Sequence, residues 1–390
     1  MNRSRLTFLA LSLLVMLPLV SGALLARGED DGDDSLYKYL SVFQDVLRLV
    51  RQAYVEDVGI EQLMEGALDG TSDALDPFST YVPASEVEAY RRVLDISAAH
   101  SGLVIAKDRG ILYALSVAAG SPAAEAGLER GDILTAIDAE PTRPMPLWRA
   151  QRILAGEPGT VVGLDLLRGG AATEATLTLA PYEPELVRFG ERDGVPVLEV
   201  VSLGPETVAA VHSVLTELPE GASRLLVDLR ETLDRDVESA YAVGEFFASG
   251  ELGRLTSSEG TEATFASAGE PLFEGDLVVL IGNGTLGGAE VLASILRGSA
   301  GATLVGEPSF GHAARLRLVP LSSGAHLRLS DAFYSGPEST PIVEGLEPDV
   351  EVSERTRTFA TKDVPLDDLI LRRGIEILER GAVEEAAEAA

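Results

Sequence analysis

The stretch DLVVLIGNGTLGGAEVLA, residues 276–293, decides how this chain is read. Its five apolar residues Leu277, Val278, Val279, Leu280 and Ile281 predict a buried strand. The run breaks into a small-residue turn, Gly282-Asn283-Gly284-Thr285, and then into Gly287-Gly288-Ala289-Glu290, which reads as a helix start. A strand that turns sharply into a helix leaves backbone N–H groups pointing outward, and many enzymes place a nucleophile and an oxyanion hole at such a corner. Here a glycine stands where the nucleophile belongs.

Working outward, strands and helices alternate on both sides of this corner. Residues 196–201 and 224–229 (RLLVDL) read as strands, 206–218 and 239–249 as helices, 289–296 as the helix of the opening stretch and 302–306 as a further strand. Such alternation predicts an α/β layer around a largely buried sheet. Beyond it, residues 366–378 read as a helix and 383–390 as an acidic, alanine-rich end. Upstream, residues 102–181 carry short apolar strands separated by Gly, Asp and Pro turns, with a short helix at 121–128, a second at 147–155 and a strand at 161–168. Further upstream, Leu36, Tyr39, Leu40, Val42, Phe43, Val46, Leu47 and Val50 recur at helical spacing. A second helix is expected over 60–68, a turn-rich piece over 73–81, and a third helix over 85–94, where Ser85 and Glu88 have the spacing of a capping box. These helices predict a small N-terminal bundle or cap.

The chain has 390 residues, room for about two or three domains, and its 31 Lys and Arg against 62 Asp and Glu give a formal charge of −31. So acidic a surface is repelled by nucleic acid and by anionic lipid. With no cysteine there is no disulfide, thiolate metal site or cysteine nucleophile. The four histidines, His100, His212, His312 and His326, are scattered without metal-ligand spacing, so neither a metal nor a cofactor is expected. Arg3 and Arg5 precede an apolar run over 6–26, with a small-residue site at Ser21-Gly22-Ala23. The pattern fits a secretory signal or an uncleaved membrane anchor, with the bulk of the chain outside the cytoplasm. An acidic linker, GEDDGDD, follows over 28–34.

The segment SPAAEAGLERGDIL, residues 121–134, followed by an Ile-Asp turn, resembles the hallmark of bacterial PDZ modules. The resemblance implies that an extended peptide adds as a strand, with its C-terminal carboxylate on the loop Ser101-Gly102-Leu103-Val104-Ile105. Val104 stands where a second glycine is common.

Taken in order, residues 35–352 resemble the C-terminal processing peptidases, the tail-specific protease family S41. YVED and LDPFSTYV are similar to that family's opening segment, and the PDZ-like module follows in the right place. LLVDLR, LVVLIGNGTLGGAEVLA, VGEPSFGHA and the closing GAHLRLSDAFYSGPESTPIVEGLEPDV come in the family's order. The resemblance implies an α/β multi-domain protein: a leader over 1–26, a linker over 27–34, an N-terminal helical domain over 35–96, a β-rich PDZ domain over 97–183, an α/β core of the ClpP/crotonase-like type over 184–355, and a helix with an acidic tail over 356–390.

These peptidases use a serine nucleophile, a lysine base and a glutamine that orients the lysine. Alignment on Glu290 brings the serine position to Gly287, and alignment of Ser309-Phe310-Gly311-His312 brings the lysine position to His312, 25 residues on as in the family. The glutamine falls on Leu316. All three positions are substituted. After LLVDLR the family's Asn-Pro-Gly-Gly is replaced by Glu231-Thr232-Leu233-Asp234, which removes the glycines that present oxyanion-hole N–H groups. Lysine occurs only at Lys38, Lys107 and Lys362, so no Ser/Lys dyad can form within the core. The reading is a pseudopeptidase that binds peptide segments or protein C-termini. The alternative is a divergent peptidase in which His312 activates the hydroxyl of Thr285 or Ser309. A third reading is an assembly scaffold, with the N-terminal helices joining copies of the chain and the groove closed by the chain's own segments.

Overall fold

The computed structural model describes residues 31–96, 101–183, 185–219, 221–353 and 368–388. The expected leader over 6–26 lies outside the described residues, as does His100. Among the described residues no helix is long and apolar enough to cross a membrane.

The chain divides into two compact units, one ending at Ala67 and the other beginning at Leu68. The first holds the Asp31–Ala53 helix, whose Tyr37, Tyr39, Leu40, Val46 and Leu49 are exposed, and the start of the Ile60–Asp73 helix. That second helix runs past the Leu68 expected from sequence, so the residues read as one N-terminal bundle are divided between the units. The third helix spans Val87–Ile96, so Ser85 and Glu88 do not stand as N-cap and N3. Inside the turn-rich piece, Thr80–Val82 is a strand. Its β-branched and aromatic residues suit a pleated surface, and they pair antiparallel with the His326–Ser335 strand, Thr80 opposite Arg328.

The PDZ domain is an antiparallel sheet in the order Leu103–Asp108, Ile111–Val117, Ile133–Ile137, Val161–Arg168, Ala171–Thr178, closed by the Leu147–Leu154 helix. Leu103–Asp108 is an outer strand of that sheet. The core of the domain comes from alternate residues such as Val162, Leu164 and Leu166, whose neighbours Val161, Gly163 and Asp165 face solvent.

The α/β core has a six-stranded sheet in the order Val350–Glu351, Thr303–Gly306, Asp276–Ile281, Arg224–Asp228, Val195–Val200, Val187–Arg192. All neighbours are parallel except the last pair. Both faces are covered, which is why its central strands read as unbroken apolar runs. Leu277, Val279 and Ile281 face a core shared with Val211 and Leu215 of the Pro205–Glu217 helix, Tyr241 of the Val237–Gly244 helix and Leu292 of the Gly288–Ala300 helix. Val278 and Leu280 face the opposite way, onto Ile370, Ile375 and Leu378 of the C-terminal helix. That helix spans Leu369–Glu388 and so takes in most of the acidic end.

The sequence reading missed a second sheet. The strands Gly250–Ser257, Gly260–Ser267, Ala314–Pro320 and His326–Ser335, with Thr80–Val82, form an antiparallel layer. Their glycine-, serine- and charge-rich sequences carry a weak apolar signal because much of the layer is only half-buried.

Candidate functional site

The candidate site is the corner after the Asp276–Ile281 strand, and its shape is set by three glycines and two polar side chains. Thr285 closes the turn: its N–H donates to Gly282 O (2.8 Å), its hydroxyl donates to Leu229 O (2.9 Å) and accepts from Gly282 N–H (3.0 Å). Thr285 is fully buried. Gly284 passes so close to the neighbouring turn that a Cβ there would lie 2.2 Å from the Arg230 carbonyl oxygen. Gly287, the N-cap of the Gly288–Ala300 helix, has φ 59° and ψ −117°, a left-handed backbone that side chains disfavour.

Glu290 holds this corner from within. Its carboxylate is fully buried and accepts from Gly287 N–H (2.9 Å), Gly311 N–H (2.6 Å) and the Ser309 hydroxyl. Burial pushes its pKa up to about 7, against the opposing pull of those three donors and of nearby His312. Ser309 also accepts from Leu346 N–H (2.7 Å), so its hydroxyl has a donor and an acceptor partner in place. Gly311 has φ 91°, and a Cβ on it would lie 2.7 Å from the Val343 carbonyl oxygen.

His312 follows with φ 75°, unusual for a side-chain-bearing residue. Its ring lies near Phe333 (centroids 5.4 Å apart) and Phe78 (5.9 Å). Its Nε2 is 3.4 Å from Ser330 Oγ and 3.5 Å from Asp76 Oδ1. Burial alone would raise the Asp76 carboxyl, but hydrogen bonds from the His312 ring, the Ser79 hydroxyl and the Phe78 N–H outweigh it and hold the group well below the usual carboxylate range. A proton relay needs the acid on one ring nitrogen and the hydroxyl on the other. Here both partners meet the same nitrogen. Leu316 lies on the Ala314–Pro320 strand opposite Ser330.

The structure therefore gathers Gly287, Ser309, Glu290 and Gly311 into one hydrogen-bonded group, while His312 turns to Asp76 and Ser330. Thr285 is bound into its own turn. Sequence reading missed Asp76, Ser330 and the donor set around Glu290. Asp76 lies in the quoted LDPFSTYV motif, and its Asp-Pro-Phe-Ser turn chemistry was the available signal. Nothing local marks Ser330.

Across the corner, the 231–235 turn is built as strand. Leu233–Arg235 pairs parallel with Ser202–Leu203, Leu233 N–H donates to Val201 O (2.7 Å), and buried Thr232 donates its hydroxyl to Val200 O (2.8 Å). Glu231 reaches the PDZ domain, 3.4 Å from Arg130 Nε and 3.5 Å from the Ser116 hydroxyl. Leu286 and Phe310 meet Tyr113, Val104, Ala106 and Leu115 of the PDZ domain, with Phe78 among them, in one apolar cluster over the corner.

In the PDZ loop, Leu103 N–H donates to the Ser101 hydroxyl (3.3 Å). Gly102 has φ 66°, and its Cβ would overlap Ser121. Ser101, Gly102, Leu103 and Ile105 are buried and Val104 is half-buried. Among the described residues no group of three or more His, Asp or Glu is placed to hold a metal ion.

Comparison with known proteins gives three consecutive family matches. Residues 21–85 match the N-terminal domain of the activating protease CtpB, 113–168 a PDZ domain and 194–352 peptidase family S41. A carboxy-terminal-processing protease of Bartonella bacilliformis is 25% identical over 383 residues, covering 95% of this chain and 86% of that protein. A carboxyl-terminal-processing protease of Synechocystis is 30% identical over 259 residues, 64% of this chain and 61% of that protein's length. The solved structure of the photosystem II D1 C-terminal processing protease superposes with a TM-score of 0.65 at 25% identity, covering 78% of this chain and 85% of that one.

Proposed function

We propose that this chain, which belongs to the S41 C-terminal processing protease family and carries its PDZ domain, is a non-catalytic member that captures extended peptide segments or protein C-termini. The observation that carries the reading is Gly287. The residue at the corner has no side chain, and the hydroxyls around it have other partners. Thr285 donates to Leu229 O, and Ser309 donates to Glu290 while accepting from Leu346 N–H. His312 has the size to fill the space of a base, but its acid and its hydroxyl share one nitrogen. The 231–234 turn directs Leu233 N–H into a strand pair, away from any oxyanion.

What the family scaffold keeps is a strand-adding PDZ edge beside the corner, and peptide C-termini are the ligand such an edge suits. The basic and apolar sequence over residues 3–26 supports work outside the cytoplasm, with that segment as leader or anchor. The exposed apolar side chains of the Asp31–Ala53 helix support self-association.

The experiment pairs binding with covalent labelling on one sample. Labelled peptides with free C-termini should bind saturably, and a hydroxyl-directed phosphonate should leave the intact mass unchanged. An adduct mapped to Thr285, Ser309 or Ser330 would favour the divergent peptidase instead. Absence of peptide binding in folded protein removes the capture reading.

A further inference from the structure

The Leu147–Leu154 helix of the PDZ domain meets the Thr80–Val82 strand in a seam with an apolar centre and a charged rim. At the centre, Trp148 packs with Val82, Val87 and Tyr90, and the Tyr90 and Trp148 rings meet edge to face with centroids 6.4 Å apart. At the rim, the Arg152 guanidinium lies 5.4 Å from the Trp148 ring centroid and pairs with Glu86 at 2.9 Å. In the same seam, Thr80 Oγ1, Trp148 Nε1, Gln151 Oε1 and His326 Nδ1 are buried and have no hydrogen-bond partner. No other buried side-chain nitrogen or oxygen among the described residues is left in this way. Thr80 and Trp148 are 1% and 4% exposed, so bulk water does not reach them.

The fold brings these atoms to one place. Thr80 lies opposite Arg328 and Val82 opposite His326, so the four side chains share one face of the strand pair. That face is the one that meets the seam: Val82 packs with Trp148, and Arg328 Nη1 donates to the Tyr90 hydroxyl (3.1 Å). Trp148 and Gln151 are three residues apart on their helix and so are neighbours on its surface.

The four atoms are also complementary in kind. An indole N–H only donates, an amide oxygen only accepts, and a hydroxyl does both. His326 Nε2 is 3.3 Å from Arg91 Nη2, a donor; in the neutral ring this contact assigns the proton to Nδ1, which makes it a second donor. Yet no two of the four bond to each other. Each lacks a partner that can donate and accept at once. Water is that partner, and a buried water typically makes about three bonds to polar atoms otherwise unserved.

We propose that this seam is a binding site for water held as part of the fold. One molecule accepts from Trp148 Nε1–H and donates to Gln151 Oε1, and a second joins the Thr80 hydroxyl to His326 Nδ1–H. An apolar occupant would leave all four atoms unserved, and an anion would face the Gln151 oxygen. The bound water gives the packing of helix on strand a polar register that the contact of Trp148 on Val82 does not impose by itself. The site uses no residue of the corner or of the 101–105 loop, and it stands whether or not the chain captures peptides.

The test uses the full chain with tryptophan isotopically labelled at the indole nitrogen. Trp148 is the single tryptophan, so one indole N–H signal reports the site. A rotating-frame dipolar cross-peak from this proton to water, of the sign that separates a bound molecule from proton exchange, is expected in the wild type. It is expected to be lost in Gln151→Leu, which keeps the bulk and removes the acceptor. Absence of the cross-peak in the wild type, or its persistence in Gln151→Leu, overturns the site on the helix side. The strand side is read from stability, because Thr80→Val keeps the shape and removes the hydroxyl. A hydroxyl bonded to water stabilises the fold, so the midpoint of urea unfolding is expected to fall. An unserved hydroxyl is destabilising, so a midpoint that stays or rises overturns the second water. If Gln151→Leu does not fold, the wild-type cross-peak and the Thr80→Val midpoint decide by the same outcomes.

Discussion

Two turns meet at the corner, and they are held in opposite ways. The 282–290 turn is fixed by side chains acting on backbone: Thr285 on Gly282 and Leu229, and Glu290 on Gly287 and Gly311. None of these bonds involves a side chain at 287. The 231–235 turn is fixed by strand pairing with Ser202–Leu203 and by Thr232 on Val200. The first turn therefore keeps the shape of a nucleophile elbow whether or not a nucleophile is present. The second carries Glu231-Thr232-Leu233-Asp234, and Leu233–Arg235 is built as strand. The contrast supports the proposal that the corner's geometry and its chemistry are carried by different residues.

The largest effect expected is on activity. A variant carrying Gly287→Ser, His312→Lys and Leu316→Gln should turn over an unstructured peptide at least about a hundredfold more slowly than the same variant with Asn-Pro-Gly-Gly grafted over 231–234, as expected for a missing oxyanion donor. Equal rates in a peptide-cleavage assay would show that the native turn is no obstacle. Next is the scaffold. Glu290→Ala leaves a hydroxyl and two N–H groups without their acceptor and should cost about 3–5 kcal/mol in urea unfolding. A loss as small as that of an exposed substitution would mean that the elbow does not depend on its carboxylate.

The same group predicts a pH dependence. Its folded pKa of about 7 lies above the ordinary glutamate value of 4.5, so folding favours the protonated form. Its contribution is full below the unfolded pKa and is lost as pH rises through about 7, a loss of up to about 3 kcal/mol. Comparing wild type with Glu290→Gln across that window isolates this contribution, since Gln does not titrate. Parallel pH profiles would contradict it. The smallest effect belongs to the second turn: Thr232→Val removes one buried hydroxyl bond to Val200 and should cost about 1–2 kcal/mol by the same unfolding measurement.

The α/β core was legible because its strands are buried on both faces and so appear as apolar runs bounded by turns, as Leu277–Ile281 and Leu225–Val227 do. The order of motifs then carried the family, and the 25-residue interval from Gly287 to His312 is what the proposed substitutions rest on. The antiparallel layer was not legible, because in strands such as Gly260–Ser267 half-buried Ala263 and Phe265 alternate with exposed Thr264 and Ala266, so side-chain polarity does not follow burial. The bonds of Asp76 and Ser330 to His312 were also hidden. They join residues far apart in the chain, and only the folded register of Thr80–Val82 and Ala314–Pro320 on His326–Ser335 brings them together. The burial of Glu290 lay beyond a local reading for the same reason: its acceptor role depends on Ser309 and Gly311, 19 and 21 residues away.

The central claim is that the corner has kept its shape without its chemistry. The most direct test is turnover of an unstructured peptide by the purified chain, followed by mass spectrometry beside a no-protein blank. The account predicts that cleavage stays at the blank level in a sample that binds the peptide. Cleavage above the blank that is abolished by Thr285→Ala, Ser309→Ala or His312→Ala would contradict it.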